Sequence, residues 1–91
     1  MQFRITPHSG FALPDDALDL LWARLGARRE EVSFAKVGDE IRATTGEDAP
    51  VSMTRDERAE IGRRAVLHVV CDVCERAPEL RSDWFAVSAT G

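Results

Sequence analysis

The chain has 91 residues, of which 44% are hydrophobic and 31% charged, enough to build one folded core without metal or disulfide staples and too apolar for intrinsic disorder. Sixteen acidic against twelve basic side chains leave a net charge of −4, and the arginines are dispersed, so the clustered positive charge that binding a phosphate backbone requires is missing. No apolar run approaches the roughly 18 to 20 residues of a membrane span, and Met1-Gln2-Phe3-Arg4 lacks the apolar stretch of a secretory leader. These features predict one soluble α+β domain over 1–91, located in the cytoplasm, with no nucleic-acid or membrane partner. Two cysteines are too few for a disulfide framework and read as reduced thiols.

Residues 2–6 alternate polar and apolar with period two, which predicts a short strand half buried through Phe3 and Ile5 and stopped by Pro7. Gly10 and Pro14 punctuate the next loop, and Asp15 and Asp16 supply acceptors and negative charge at a helix start. Leu18, Leu21, Trp22 and Leu25 then recur on one helical face, and Gly26 fits the end of that helix. Residues 32–37 and 40–45 are strand-like runs joined by Gly38-Asp39, a pair suited to a two-residue hairpin loop. With that loop Phe34 faces Ala43, Val32 faces Thr45 and Lys36 faces Ile41, so Val32, Phe34, Ile41 and Ala43 share one side.

After a polar loop at 46–50, Thr54 and Glu57 have the spacing of a capping box that opens a long helix reaching about Ala77, before Pro78. Residues 84–89 close the chain as a strand with Phe85 and Val87 on one side. The order β-α-β-β-α-β is that of the ferredoxin-like split βαβ sandwich. Its four antiparallel strands lie 4-1-3-2 with both helices on one face. Many unrelated activities share this topology, so function has to be argued from sites.

Three places could carry chemistry. Cys71-Asp72-Val73-Cys74 is a C-x-x-C with His68 upstream, but it falls in the last turns of its helix, where the dipole disfavours a thiolate. At about 100° per residue, Cys74 flanks the core stripe of Val66, Val70 and Val73, whereas His68 points to solvent, so the three do not converge on one ion. The expected reading is buried apolar cysteines with no bound metal or cofactor. The Pro7-His8-Ser9-Gly10 loop offers a histidine beside a serine, but sequence neighbours rarely meet the geometry of a nucleophile and its base, and no catalytic residue is assigned. The carboxylate pairs Asp15/Asp16 and Glu30/Glu31 do not face one another across a substrate, and no glycine-rich phosphate cradle is present.

The third place is the open side of the sheet. If the apolar alternates face the helices, Arg4, Ser33, Ala35, Val37, Arg42, Thr44, Trp84, Ala86 and Ser88 face away from them. Tryptophan and arginine on a flat, lightly charged surface are the residues most enriched at binding hot spots. The sequence therefore predicts a small, non-catalytic binding or oligomerisation module, a homodimer or partner subunit, with Trp84 as anchor and Arg4 and Arg42 engaging carboxylates. Two other classes follow from the remaining features. One is a small dimeric ferredoxin-like enzyme with a helix-sheet cleft reached by His8, and the other is a metal or thiol-redox sensor acting through Cys71 and Cys74.

Overall fold

The computed structural model describes residues 1–10, 12–29, 32–46 and 52–90. The elements in chain order are strand β1 (Gln2–Pro7), helix α1 (Ala17–Leu25), strands β2 (Arg28–Arg29), β3 (Val32–Val37) and β4 (Glu40–Thr45), helix α2 (Arg55–Glu75), a 3-10 turn (Ser82–Trp84) and strand β5 (Phe85–Ala89). The class is α+β. The strands form one sheet in the order β2-β3-β4-β1-β5, every neighbouring pair antiparallel. From the other edge, the four longer strands run β5-β1-β4-β3.

The hairpin forms in the register that its two-residue loop dictates, with Val32 opposite Thr45, Phe34 opposite Ala43 and Lys36 opposite Ile41. Gly38 supplies the left-handed residue of that loop at φ 58°. Strand β2 is an addition to the four strands expected. Arg28 and Arg29 pair with Ser33 and Val32 at the outer edge of β3, a stretch too short to leave a period in the sequence. Pro7 belongs to β1, opposite Phe85, because its missing N–H would point toward β4 beyond the last β1–β4 pair, Ile5 with Ile41.

Phe3, Ile5, Val32, Phe34, Ile41, Ala43, Phe85 and Val87 are buried on one side of the sheet beneath the helices. Leu18, Leu21 and Leu25 of α1 and Val66, Val69, Val70 and Val73 of α2 close over them. Trp22 is half-buried against the same cluster. Helix α1 ends at Gly26, whose φ of 72° and ψ of −172° suit only glycine and whose N–H donates to the Trp22 carbonyl. At its other end the expectation needs correction. Asp16 occupies the cap position, but its backbone is not extended and its side chain makes no cap hydrogen bond. Helix α2 starts as its sequence requires. The Glu57 N–H donates to Thr54 Oγ1 and the Thr54 N–H to Glu57 Oε1, each at 3.2 Å. It ends at Glu75, slightly before the expected Ala77, which is nevertheless buried.

Helix α2 can approach the sheet because of Gly62. A Cβ there would sit 2.5 Å from Cζ and 2.7 Å from Cε2 of the fully buried Phe3 ring. Alanine should gain about 1 kcal/mol of helix propensity, but the overpacking against a ring that has nowhere to move costs about 1 to 3 kcal/mol. Gly62→Ala should therefore lower the denaturation midpoint, and the loss should shrink in a Phe3→Leu background, as a double-mutant cycle in urea would read.

On the outer face of α2, Glu60 accepts from both Arg63 and Arg64, and Asp72 pairs with Arg76. The hydrogen bonds from Arg63 and Arg64 draw the Glu60 carboxyl down from 4.5 to about 2. A depressed carboxyl contributes stability above its unfolded value and loses it as pH falls through the folded one, so this contribution should fade between about pH 4.5 and 2. Solvent screens these exposed groups, so the effect is small. Acid titration of Glu60→Gln should lack that component.

Candidate functional site

The open face of the sheet is built by strict alternation. Residues whose neighbours are buried beneath the helices point the other way, and Arg4, Ser33, Ala35, Val37, Arg42, Thr44 and Ser88 are all exposed. The ladders place Ala35, Arg42, Arg4 and Ser88 in one row across β3, β4, β1 and β5. Ser33, Thr44 and Gln2 form the next row. Small side chains therefore surround two central arginines.

Arg4 and Arg42 lie directly opposite one another, an arrangement that like charges disfavour. Glu40 offsets the repulsion. Its Oε2 is 3.6 Å from Arg4 Nε and its Oε1 is 3.8 Å from Arg42 Nη2. The carboxylate is only 23% exposed while each arginine side chain is 51% exposed, so the anion lies low on the sheet and the cations stand above it. Oε2 is itself shut off from solvent and has no hydrogen bond. The trio carries one net positive charge on a chain of −4. A single carboxylate approaching from outside would meet two guanidinium groups whose one ion-pair partner among the described residues is Glu40, at distances beyond a good hydrogen bond.

Trp84 is placed differently from the expectation. It ends the 3-10 turn, and strand β5 begins only at Phe85. The Trp84 carbonyl accepts from the His8 N–H at 2.7 Å, and the side chain is half-buried against the core cluster. It is not a free indole on a flat surface.

The His8 loop forms a tight local turn. The Gly10 N–H donates to His8 Nδ1 at 3.3 Å, and the imidazole is exposed. Among the described residues no polar or charged side chain is buried, and the space between the helices and the sheet is occupied by the apolar cluster. The described groove lies elsewhere. It is an open depression of about 420 Å³ at the end of α2, lined by Cys74, Glu75, Leu80, Arg81, Ser82 and Asp83. The Glu30/Glu31 pair falls outside the described residues.

Cys74 is buried, Cys71 half-buried and His68 exposed, the order that the helical wheel gives. Among the described residues no three metal-binding side chains converge. Burial, with smaller contributions from Cys71 and Asp83, pushes the Cys74 thiol up from 9.0 to about 11. Such a thiol is almost entirely protonated near pH 8, and the thiolate is the nucleophile. Iodoacetamide at pH 8 should therefore modify Cys71 well before Cys74 in the folded protein, with both reacting in denaturant. Equal rates in the native state would show that Cys74 is not held as a buried thiol.

No helix among the described residues is long and apolar enough to cross a membrane. No family model matches the chain, and no curated protein or solved structure does either.

Proposed function

We propose that this chain is a non-catalytic binding module whose open sheet face docks a second protein chain, as a homodimer or as a subunit of a complex, in the cytoplasm. The arrangement is read as a ferredoxin-like split βαβ sandwich of order 4-1-3-2, supported by the sequence of the four longer strands in the sheet, with β2 an extension at the β3 edge.

The observation that carries the reading is the Arg4-Glu40-Arg42 trio standing among small side chains. Ser33, Ala35 and Ser88 leave room for a partner to approach the backbone closely, and the two guanidinium groups offer paired donors to a partner carboxylate. Exposed Val37 adds an apolar contact at the hairpin end. Trp84, beside His8, contributes only the part of its side chain that the core leaves uncovered. A binding module also accords with a helix-sheet interior filled by apolar side chains.

Arg42→Glu would place a second acid beside Glu40 and invert the charge of the face, and should weaken docking by about 1 to 3 kcal/mol while leaving the helical circular dichroism unchanged. Arg42→Lys should recover part of the loss, because it restores the charge without the planar fork. The direct measurement is the amide spectrum. Arg4, Arg42, Thr44 and Ser88 should shift together on complex formation, and a complex that leaves all four unmoved would overturn the open-face reading.

A further inference from the structure

The two edges of the sheet are finished differently. At one edge β2 pairs with the start of β3, and the Phe34 N–H donates to the Ala27 carbonyl at 2.8 Å. The uncovered remainder of β3 carries Lys36, which is ion-paired to Asp19 of α1. Partial cover and an edge lysine are the usual ways a protein prevents strand addition. The β5 edge has neither. Phe85, Ala86, Val87, Ser88 and Ala89 include no charge and no proline, and β5 pairs only with β1 among the described strands.

The ladder shows which backbone groups face outward. In an antiparallel pair, residues directly opposite alternate between exchanging hydrogen bonds and exchanging none. The His8 N–H donates to the Trp84 carbonyl, and the Thr90 N–H donates to the Gln2 carbonyl. With Thr6 opposite Ala86 and Arg4 opposite Ser88, the bonded positions on this side are therefore Trp84, Ala86, Ser88 and Thr90. The N–H and C=O groups of Phe85, Val87 and Ala89 point away from β1. The Phe85 N–H is already donated to the Ser82 carbonyl. What remains is the Phe85 carbonyl and both backbone groups of Val87 and Ala89, with no partner among the described residues.

Apart from the Ala89 carbonyl, which would face the committed Phe85 N–H, this pattern is complementary to itself. We infer that the β5 edge pairs antiparallel with β5 of a second copy of the chain, about a two-fold axis at Val87. In that register the Val87 N–H donates to the Val87 carbonyl of the second copy, whose own N–H donates to the first copy's Val87 carbonyl. Each Ala89 N–H donates to the opposing Phe85 carbonyl, the one group at that position still able to bond. Ala86 comes opposite Ser88, both small, and no charge meets its like anywhere along the seam. Centring on Val87 overlaps the whole strand, whereas neighbouring registers leave its ends unpaired. The helix flank fits the same occupant. Helix α2 packs over β5 and the 3-10 turn. Cys74 lines the groove on that side, and Cys71 and Leu67, three and seven residues earlier, fall on the same flank and are half-buried. A second copy would cover them. Pairing at the edge also leaves both open faces uncovered, side by side on one continuous sheet, so this inference does not depend on what the open face binds.

The test combines sedimentation or light scattering with native amide exchange on the wild-type chain. A dimer should form with the Val87 and Ala89 amides protected, and their protection should fall on dilution as the dimer dissociates. Ala89→Pro removes an outward N–H at an exposed position without touching the β1 ladder. It should raise the dissociation constant at least about tenfold with unchanged circular dichroism, while Arg42→Glu leaves it within about twofold. Because the seam is neutral and each chain carries −4, added salt should strengthen association. A wild-type chain still monomeric at about 1 mM would overturn the inference. So would a dimer in which the Val87 and Ala89 amides exchange freely. A dimer lost with Arg42→Glu but kept with Ala89→Pro would also overturn it and leave the open-face reading standing.

Discussion

The contact on which the architecture depends is the Phe3 ring lying directly beneath Gly62. Phe3 is on β1, which joins β4 on one side to β5 on the other, and Gly62 is the point where the long helix comes down onto that strand. Without a Cβ at Gly62, α2 sits close enough for Val66, Val70 and Val73 to reach the sheet, and for Val69 to complete the cluster. A helix held one methyl further off would loosen the burial of all of them at once, because interiors at crystalline packing density cannot absorb such a gap locally. The glycine weakens the helix intrinsically, and the burial that it permits more than offsets that cost.

Helices confined to one side leave the other side of the sheet open, and its chemistry follows from that asymmetry. Apolar residues at odd positions of β1, β4 and β5 and at even positions of β3 go under the helices, so the intervening positions are free to be polar. The sequence uses that freedom sparingly. It places two arginines opposite one another and holds them with a single low-lying carboxylate. The same sparing use of charge continues onto β5, where it stops entirely. Face and edge thus differ in the chemistry they present: guanidinium groups stand above the face, and backbone groups line the β5 edge.

The interior, in contrast, is uniformly apolar among the described residues. Cys74 belongs to it, and burial keeps its thiol protonated. The C-x-x-C spacing therefore has a structural explanation: positions three apart on a helix fall on one flank, and this flank runs along the margin of the core. His8, whose imidazole accepts from the backbone two residues on, likewise serves its own turn.

The sequence by itself determined the features with short-range causes. Periodicity located the helices and the four longer strands, the Gly38-Asp39 loop set the hairpin register, and Thr54 with Glu57 marked the start of α2. It also separated the buried from the exposed alternates of the sheet, because a strand with one covered face has to alternate. Tertiary structure decided what depends on residues distant in the chain. The closeness of Phe3 to Gly62 leaves no local trace, nor does the two-residue pairing of Arg28 and Arg29 with β3. Trp84 shows the boundary between the two kinds of information. Alternation places it at the head of the last strand as an exposed residue, but it closes a 3-10 turn and is half-buried against the core cluster, a contact made with residues distant in the chain.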